Sequence, residues 1–465
     1  MLPEYLRDAR IGILGFGVNH QALVRWLVEH GASEIVIYDE SESARERIAA
    51  QGLPVEHVVG PDAFEQLDVE VLFRSPGIPP DRLELVQARE AGVHITSQLN
   101  LFFELCQAKI IGVTGSKGKG TTSTLIAKML EAGSSESTVY LAGNIGSDPF
   151  EFLDKLRPTD RVVLELSSFQ LIDIEHSPHI AVVLGITSDH LEYHKTQPAY
   201  VEAKTPIVRF QTEADHAILS AENSESLAFA ELTRATVHYS ATALPVEDGV
   251  HVHEGNFVQQ VPGQSAEIVA STSDVQLLGE HNLGNAAAAI VVAKLCGVHN
   301  TAIQEALRSF TGLPHRIQLV HESAGVRWYD DSIATNNGAV IAAIRSFQAP
   351  ILLIAGGSTK DLDYSELGSV IASSNVKQLL LIGQTAAEIA QAAEQHDYPT
   401  DRIFFAGTLD KAVEEAVSQS QDGDVVLLSP ASASFDQFPN YKVRGDQFAA
   451  LARATQIGGK DDGSR

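Results

Sequence analysis

The chain has 465 residues, of which 44% are hydrophobic and 20% are charged, and its formal net charge is −27. This length is too great for one ordinary hydrophobic core, so two or three domains are expected. The acidic balance disfavours a nucleic-acid or anionic-membrane partner, because such partners require a positive protein surface.

Short apolar runs alternate with helical patterns over the first hundred residues. Buried strands are predicted at residues 11–14, 34–38 and 69–73, with a helix from about residue 20 to residue 30. This alternation indicates a parallel sheet with right-handed crossovers. Gly15 and Gly17 with Asp39 imitate a dinucleotide-binding fingerprint, but His20 stands where the third glycine is needed. The pattern is therefore weak support for NAD.

A glycine-rich loop follows the next predicted strand, 110–113, and precedes a helix predicted from Thr121 to Ala132. The loop reads Gly115-Ser116-Lys117-Gly118-Lys119-Gly120-Thr121-Thr122. Glycines let backbone N–H groups and the helix N-terminus point at phosphate oxygens, and Lys119 would reach the terminal phosphates. A P-loop has Ser or Thr where Gly120 stands, so Thr121 is the alternative hydroxyl for magnesium. A tight strand-to-helix turn is the competing interpretation, which two lysines among glycines disfavour.

Two further predicted strands, 161–166 and 180–184, carry polar residues at their ends. Glu165 closes the first strand, and His190 follows the second. Parallel sheets bind ligands at the carboxyl ends of their strands. Both residues are therefore candidate metal ligands, although a solvated loop acid and a helix-terminal histidine are the simpler interpretations of each alone.

The last third of the chain continues the α/β alternation. Residues 235–275 show short alternating patterns that predict a small antiparallel addition. Strands are predicted at 351–354, 378–382 and 425–428, and the polar, glycine-containing tail from residue 458 is expected to be disordered.

Eight segments in one order resemble the Mur ligase superfamily, which also includes folylpolyglutamate synthetases. They cover residues 142–146, 165–171, 189–190, 200–204, 281–285, 312–316, 330–336 and 429–438. The pattern is most similar to the branch that adds D-glutamate. The resemblance implies an α/β fold with three domains. These are a Rossmann-like domain (1–106), a P-loop mononucleotide-binding ATPase domain with the antiparallel addition (107–312), and a second Rossmann-like domain (313–465).

The resemblance also implies roles for individual residues. The loop from Gly115 to Thr122, with Asn285, Arg316 and Asp331, would bind ATP. The implied catalytic residues are Lys119, Lys204, His190 and Glu165. Magnesium would be held by Thr121, Glu165 and His190, and by Lys204 after its carbamylation by CO₂. Domain closure would complete the site and exclude water.

Substrate contacts follow from the same resemblance. The UDP-sugar would meet Asp39, Ser75, Pro76, Gly77, Asn144 and Ser167. Glutamate carries two carboxylates and needs cations and hydroxyls around it. Its implied contacts are Lys360, Thr335, Ser434, Phe435 and Tyr441. A plain turn at 75–77 and core packing of the two aromatic residues are the simpler interpretations.

The implied reaction activates the carboxylate of UDP-N-acetylmuramoyl-L-alanine as an acyl phosphate and joins it to the glutamate amine. It would serve peptidoglycan synthesis, and with it cell shape and division. Ile333 and Lys117 depart from the D-glutamate pattern and resemble an L-glutamate-adding branch. Gly120 is shared with folylpolyglutamate synthetases, although the dedicated first domain argues against them. An NAD-dependent oxidoreductase and a noncatalytic nucleotide-binding regulator are the alternatives from other classes.

The remaining expectations concern surroundings. Only Cys106 and Cys296 occur, which excludes a disulfide scaffold and a four-cysteine zinc ribbon, and with the latter an amidating-complex subunit. No apolar run approaches the roughly 20 residues that span a bilayer, and no signal-peptide pattern precedes the first strand. A cytoplasmic monomer is expected.

Overall fold

The computed structural model describes residues 2–133, 136–277, 279–359 and 362–455. They divide into two compact units. One unit comprises the chain up to residue 275 together with 280–309, and the other comprises 276–279 and the chain from 310 onward. The predicted boundary at 106/107 lies within the first unit, and the one at 312/313 lies shortly after its end. Both boundaries remain predictions.

The first sheet of the first unit is entirely parallel. Its strands are β1 (Arg10–Leu14), β2 (Glu34–Asp39), β3 (Glu56–Val59), β4 (Val71–Arg74) and β5 (His94–Thr96). Their spatial order is β3-β2-β1-β4-β5. The helices around them are α1 (Glu4–Arg7), α2 (Val18–Glu29), α3 (Ala44–Gln51), α4 (Leu83–Glu90) and α5 (Gln98–Leu105). The predicted strands of this region are confirmed.

The second sheet carries the glycine-rich loop. Its strands are β6 (Lys109–Thr114), β7 (Val139–Gly143), β8 (Arg161–Glu165), β9 (Ile180–Val183), β10 (His216–Ser220), β11 (Thr236–Ala241), β12 (Gly249–His253), β13 (Asn256–Gln260) and β14 (Glu267–Ser271). Their order is β14-β13-β12-β11-β10-β9-β6-β8-β7. Strands β12 to β14 pair antiparallel, which confirms the predicted addition, but β11 joins them in parallel to the main sheet. The addition is therefore continuous with the ATP-domain sheet.

The helices of this region vary greatly in length. They are α6 (Lys119–Gly133), α7 (Ser168–Leu171), α8 (Leu191–His194), α9 (Gln197–Glu202), α10 (Pro206–Arg209), α11 (Ser224–Leu227), α12 (His281–Leu295) and α13 (Asn300–Ser309). The central strands β6, β8 and β9 are buried along nearly their whole length. Their continuous apolar runs are typical of a parallel sheet that is covered on both faces. The residues that follow these strands lie at a common sheet edge.

The second unit contains the third sheet. Its strands are β15 (Gln318–Ser323), β16 (Val326–Asp330), β17 (Ile351–Gly356), β18 (Val376–Ile382), β19 (Ile403–Gly407) and β20 (Val425–Leu428), in the order β15-β16-β20-β17-β18-β19. The pair β15–β16 is antiparallel and the other pairs are parallel. The helices are α14 (Asn337–Arg345), α15 (Ser365–Ser373), α16 (Ala386–Glu394), α17 (Leu409–Gln419) and α18 (Tyr441–Ala454). Two apolar cores lie on its two faces.

Three details complete the comparison with the sequence. Cys106 and Cys296 are free thiols. No helix among the described residues is both long and apolar enough to cross a membrane. The tail from residue 458, which is predicted to be disordered, lies outside the described residues.

Candidate active site

The glycine-rich loop connects β6 to α6 and is tied to the neighbouring strand. The Ser116 amide donates to the Gly185 carbonyl, and the Ser116 hydroxyl lies 3.0 Å from the Tyr200 hydroxyl. Lys119 begins α6, and its Nζ donates to the carbonyls of Gly115 (3.1 Å) and Ser116 (3.0 Å). The predicted helix start at Thr121 is therefore two residues late. The lysine ammonium lies within the loop, where a bound phosphate would meet it.

Gly118 is where the loop meets a later helix. Its φ is +86°, and a Cβ atom there would lie 2.2 Å from Asn285 Oδ1. Asn285, on α12, is held by its own Nδ2, which donates to Asn282 Oδ1 at 2.9 Å. Glycine is thus required by both the backbone conformation and the close approach. The predicted ATP residues Gly118 and Asn285 are brought together.

Glu165 and Asn144 form a second cluster at the same sheet edge. Glu165 ends β8 opposite Val113 of β6, directly before the loop. Asn144 donates from its backbone to the Glu165 carbonyl (2.9 Å) and from Nδ2 to the Glu165 carboxylate (3.1 Å). A Cβ atom on Gly143 would lie 2.3 Å from that carbonyl oxygen, so the two strand ends approach very closely. Asn144 therefore orients a buried carboxylate beside the phosphate loop.

Lys204 is a buried lysine beside the phosphate loop. It is 1% exposed, and its Nζ donates to the Gly115 carbonyl (3.0 Å) and the Thr114 hydroxyl (3.3 Å). Burial, and to a smaller extent the charge of Lys119, lowers the pKa of Lys204 to about 7. An ordinary helix lysine would be fully protonated at neutral pH. The lowered pKa of Lys204 favours the neutral amine, which is the nucleophilic form.

Three of the four candidate magnesium ligands, all except Lys204, lie on or beside three different elements. Glu165 ends β8, Thr121 lies in the first turn of α6, and His190 precedes α8 with a left-handed φ of 52°. Among the described residues, no three His, Cys, Asp or Glu side chains could hold a metal by themselves. Magnesium commonly takes one or two carboxylates and completes its shell with phosphate oxygens and water. A buried carboxylate and a hydroxyl beside a phosphate loop fit that ligand set.

The predicted UDP-sugar residues lie in two places. Pro76, Gly77, Asn144 and Ser167 line one cavity of about 190 Å³ within the first unit. Asp39 has a local role: its carboxylate accepts from the backbone N–H groups of Phe16 (2.7 Å) and Ser41 (2.8 Å). It thereby fixes the loop after β1. Ser75 lies at the start of the loop that forms one wall of the cavity.

In the second unit, the predicted ATP contact Asp331 has a carboxyl pKa well above the ordinary value. Burial raises its pKa to about 7, although hydrogen bonds from Ser429 (2.7 Å) and from the Ile317 backbone (3.2 Å) oppose the shift. Arg316 lies in the turn beside it, and its charge also lowers the pKa of Asp331. His315 and Ile317 flank Arg316 with φ values of 62° and 41°. This turn is therefore strained, which is common at functional sites.

The predicted glutamate contacts lie in segments of the second unit that also contain the partners of a buried arginine, Arg444. Ser434 is buried, Phe435 is 74% exposed, and Tyr441 begins α18. Thr335 follows the loop after β16, and Lys360 lies outside the described residues. Arg444 donates to the Ser332 hydroxyl and carbonyl and to the carbonyls of Ser432 and Ala433, at 2.8 to 3.3 Å. Burial lowers its pKa to about 10.

Several residues of these sites are not predicted by the sequence patterns. They are Asn19, Phe169, Gln170 and Tyr193, which line the 190 Å³ cavity, and Arg74 and Arg444, which hold loops from below. Asn19 could have been found from its place one turn after the Gly15-x-Gly17 pair. Phe169 and Gln170 lie within the segment 165–171 that carries the resemblance, which could have indicated them. Tyr193, Arg74 and Arg444 carry no local signal, because they have partners that are distant in sequence.

Comparison with known proteins assigns this architecture to a family. The model of the Mur ligase middle domain matches residues 113–293, and that of the Mur ligase glutamate ligase domain matches residues 315–432. The UDP-N-acetylmuramoylalanine–D-glutamate ligase of Acetivibrio thermocellus is 36% identical, over 97% of both chains. The protein of the same name from Symbiobacterium thermophilum is 38% identical, over 96% of this chain and 98% of its own.

This chain belongs to the Mur ligase family. Solved structures agree at the level of the fold. MurF from Acinetobacter baumannii is 18% identical with a TM-score of 0.58, covering 97% of this chain and 93% of its own. MurC from Thermotoga maritima is 17% identical with a TM-score of 0.55, covering 96% and 99%. The α/β class with three parallel-rich sheets is thus that of Mur ligases.

Proposed function

We propose that this Mur ligase joins the amino group of D-glutamate to UDP-N-acetylmuramoyl-L-alanine and converts ATP to ADP and phosphate. The reaction would take place in the cytoplasm, where ATP and nucleotide-linked sugars occur, and would extend the peptide of peptidoglycan precursors. One observation carries the proposal. The phosphate loop, Glu165 and the buried Lys204 meet at one sheet edge, in a chain 36% identical to a D-glutamate ligase over nearly its full length.

The chemistry requires activation of a carboxylate. Its negative charge repels nucleophiles and oxide is a poor leaving group. In the proposed sequence, the terminal phosphoryl group of ATP is transferred to the alanyl carboxylate, which gives an acyl phosphate and ADP. The glutamate amine then attacks the carbonyl carbon, the C–N bond forms, and the C–O bond to phosphate breaks. The amine loses a proton to solvent.

The protein contributes positioning and electrostatics, which dominate phosphoryl transfer. The amides of the loop from Gly115 to Thr122 would bind the phosphates, and the Lys119 ammonium would stabilise charge on the transferring group. Bound magnesium would neutralise the same charge from Glu165, Thr121 and His190. Asn144 keeps the Glu165 carboxylate oriented toward this edge through the contact at 3.1 Å.

Lys204 is proposed to act in carbamylated form. Its neutral amine attacks the carbon of CO₂, a new N–C bond forms, and one proton is released. A pKa of about 7 makes this reaction accessible at neutral pH. The product, a carbamate, carries a negative charge where the reacting amine carried none, which suits a second metal position near the phosphate loop.

Residues of the second unit are proposed to bind ATP and glutamate. Arg316 and Asp331 would bind ATP. Thr335, Ser434, Phe435 and Tyr441, with Lys360, would bind glutamate. The charge of Arg444 beneath the loops of Ser332 and Ser434 favours a dianionic amino acid there.

The deciding experiment supplies purified protein with ATP, magnesium and UDP-N-acetylmuramoyl-L-alanine, and D- or L-glutamate in parallel. Phosphate release and product mass are followed. We expect a glutamate mass gain with the D-enantiomer. Gain with L-glutamate alone would assign the chain to the L-adding branch that Lys117 and Ile333 resemble, and would contradict the proposal.

Matched variants test the assignment of the loop. Lys119→Ala should abolish product formation, whereas Lys128→Ala, on the same helix α6, should leave it unchanged. If neither enantiomer is added while ATP still binds, the folate substrate is tried next. ATP binding without turnover on any of these substrates would point to a noncatalytic regulator.

A further inference from the structure

Three carbonyls of the loop Ser75–Ile78 accept hydrogen bonds from one buried cation, Arg74. Arg74, the last residue of β4, is 0% exposed. Its Nη1 donates to the carbonyls of Ser75 (3.2 Å), Pro76 (3.4 Å) and Ile78. Carbonyls of one short loop that converge on a guanidinium cannot rearrange independently. Arg74 therefore fixes the path of the loop.

Tyr193, on α8, contacts the same loop. Its hydroxyl lies 3.1 Å from the Pro76 carbonyl and 3.2 Å from the Ile78 carbonyl, and it accepts from Arg74 Nη1 at 3.3 Å. One hydroxyl proton serves one carbonyl at a time, so the phenol bridges the loop and the guanidinium. The Tyr193 ring packs edge-on against Phe169, with centroids 4.5 Å apart.

Asp173 supplies the charge that makes this arrangement stable. Its carboxylate accepts from Arg74 Nε at 2.7 Å and contacts Nη2 at 2.5 Å, with side-chain exposures of 0% for Arg74 and 12% for Asp173. Arg74 Nη2 also donates to the Phe169 carbonyl at 3.3 Å. A buried ion pair of this kind cannot lose one partner without leaving an uncompensated charge. The pair thus links β4 of the first sheet to the segment after α7 of the second.

The bridge borders the candidate substrate cavity and the candidate metal ligand. Tyr193, Phe169, Pro76 and Gly77 all line the 190 Å³ cavity. The Phe169 ring that packs on Tyr193 also lies edge-on to His190, with centroids 4.9 Å apart. The Phe169 ring therefore packs against both Tyr193, which holds the Ser75–Ile78 loop, and His190, a candidate metal ligand.

We infer that Tyr193, supported by Arg74 and Asp173, is a positioning residue for the nucleotide-linked substrate. It keeps the Ser75–Ile78 loop against the cavity, so that the carboxylate of the substrate is presented to the catalytic edge in one orientation. This role rests on the proposed function and deepens it. It predicts that loss of the phenolic hydroxyl alone weakens recognition of one of the three substrates.

The test uses Tyr193→Phe, which retains the ring and removes the hydroxyl. Tyr5→Phe is the matched control, since the Tyr5 hydroxyl bonds Glu104 at an exposed position (3.0 Å). The KM of each substrate, kcat and the melting temperature are measured for both variants. With Tyr193→Phe, the KM for UDP-N-acetylmuramoyl-L-alanine should rise about fivefold, the scale of one lost hydrogen bond. The KM values for ATP and glutamate should change less than twofold.

A second variant and a binding measurement distinguish the outcomes. Asp173→Asn should raise the same KM further, because it removes the charge that holds Arg74. A lower melting temperature without a selective KM change would show a merely structural role and overturn the inference. Calorimetric titration of the wild type with UDP-N-acetylmuramoyl-L-alanine is run alongside. If the wild type neither binds this compound nor turns it over, the proposed function fails, and the positioning role fails with it.

Discussion

Gly118 offers a sharp test of how the phosphate loop is built. Gly118→Ala introduces a Cβ atom at a φ of +86°, 2.2 Å from Asn285 Oδ1. Gly31→Ala provides a matched control, because Gly31 has a φ of +87° and nothing lies within 4 Å of the added Cβ atom. The two substitutions share the backbone strain and differ in the contact.

The magnitudes follow from these two terms. A left-handed conformation costs a residue with a Cβ atom about 1–2 kcal/mol, which both variants lose. Gly118→Ala must also displace Asn285 and break its hydrogen bond to Asn282 at 2.9 Å. That adds about 1 kcal/mol. Since Asn285 is a proposed ATP contact, only Gly118→Ala should also weaken ATP binding.

The assay is urea unfolding of both variants, with ATP affinity by calorimetry. The double variant Gly118→Ala/Asn285→Ala completes a thermodynamic cycle, because it removes the oxygen that the Cβ atom meets. The extra cost of Gly118→Ala should vanish in the Asn285→Ala background. Equal losses for Gly31→Ala and Gly118→Ala would refute the reasoning, since the contact with Asn285 would then have no energetic effect.

Three further predictions concern buried or catalytic cations. Lys119→Ala should lower ATP-dependent phosphate release at least about 100-fold, measured at saturating substrates, and near-normal turnover would contradict its role. Lys204→Met removes an amine whose folded pKa, about 7, lies below the ordinary 10.5. The folded wild type then binds fewer protons than the unfolded chain between these values. Its stability relative to Lys204→Met should therefore rise with pH above 7, and a constant difference in urea unfolding at pH 6 and 9 would disprove this. Arg444→Lys keeps the charge but cannot span Ser332 and Ser432, so the free energy of unfolding should fall by roughly 2 kcal/mol, with a higher KM for glutamate. An unchanged KM for glutamate, together with the loss of stability, would show that Arg444 supports the fold but does not affect glutamate binding.

Much of the local structure around the candidate site could be predicted because its signals are local. Apolar runs specify β6, β8 and β9, and glycines mark the turn between β6 and α6. Glu165 is the last residue of β8 and His190 lies in the loop after β9, so the parallel pairing of β8, β6 and β9 predicts both at the carboxyl ends of the strands. The small error at the start of α6 has a local cause as well. Lys119 already belongs to the helix because Gly118 absorbs the left-handed turn.

The remainder could not be predicted because it depends on burial and on distant partners. Arg74 and Asp173 are separated by 99 residues and follow no common motif. The lowered pKa of Lys204 arises from desolvation, which a helical pattern does not reveal. Within the addition predicted at 235–275, β12 to β14 are antiparallel as predicted, but β11 pairs in parallel with β10 and β12 and so connects the addition to the main sheet.

Arg444 has a consequence for how the second unit would respond to its surroundings. All its hydrogen bonds go to uncharged groups, and no ion pair engages it among the residues that the structure describes. Mobile ions shield charges in solvent, but they do not penetrate to a fully enclosed guanidinium. The attraction that it exerts on an anion at the overlying loops should therefore persist at high ionic strength. Anion binding at this face should therefore be less sensitive to salt than binding to an exposed cation, with the nearby carboxylates of Asp330 and Asp436 opposing it.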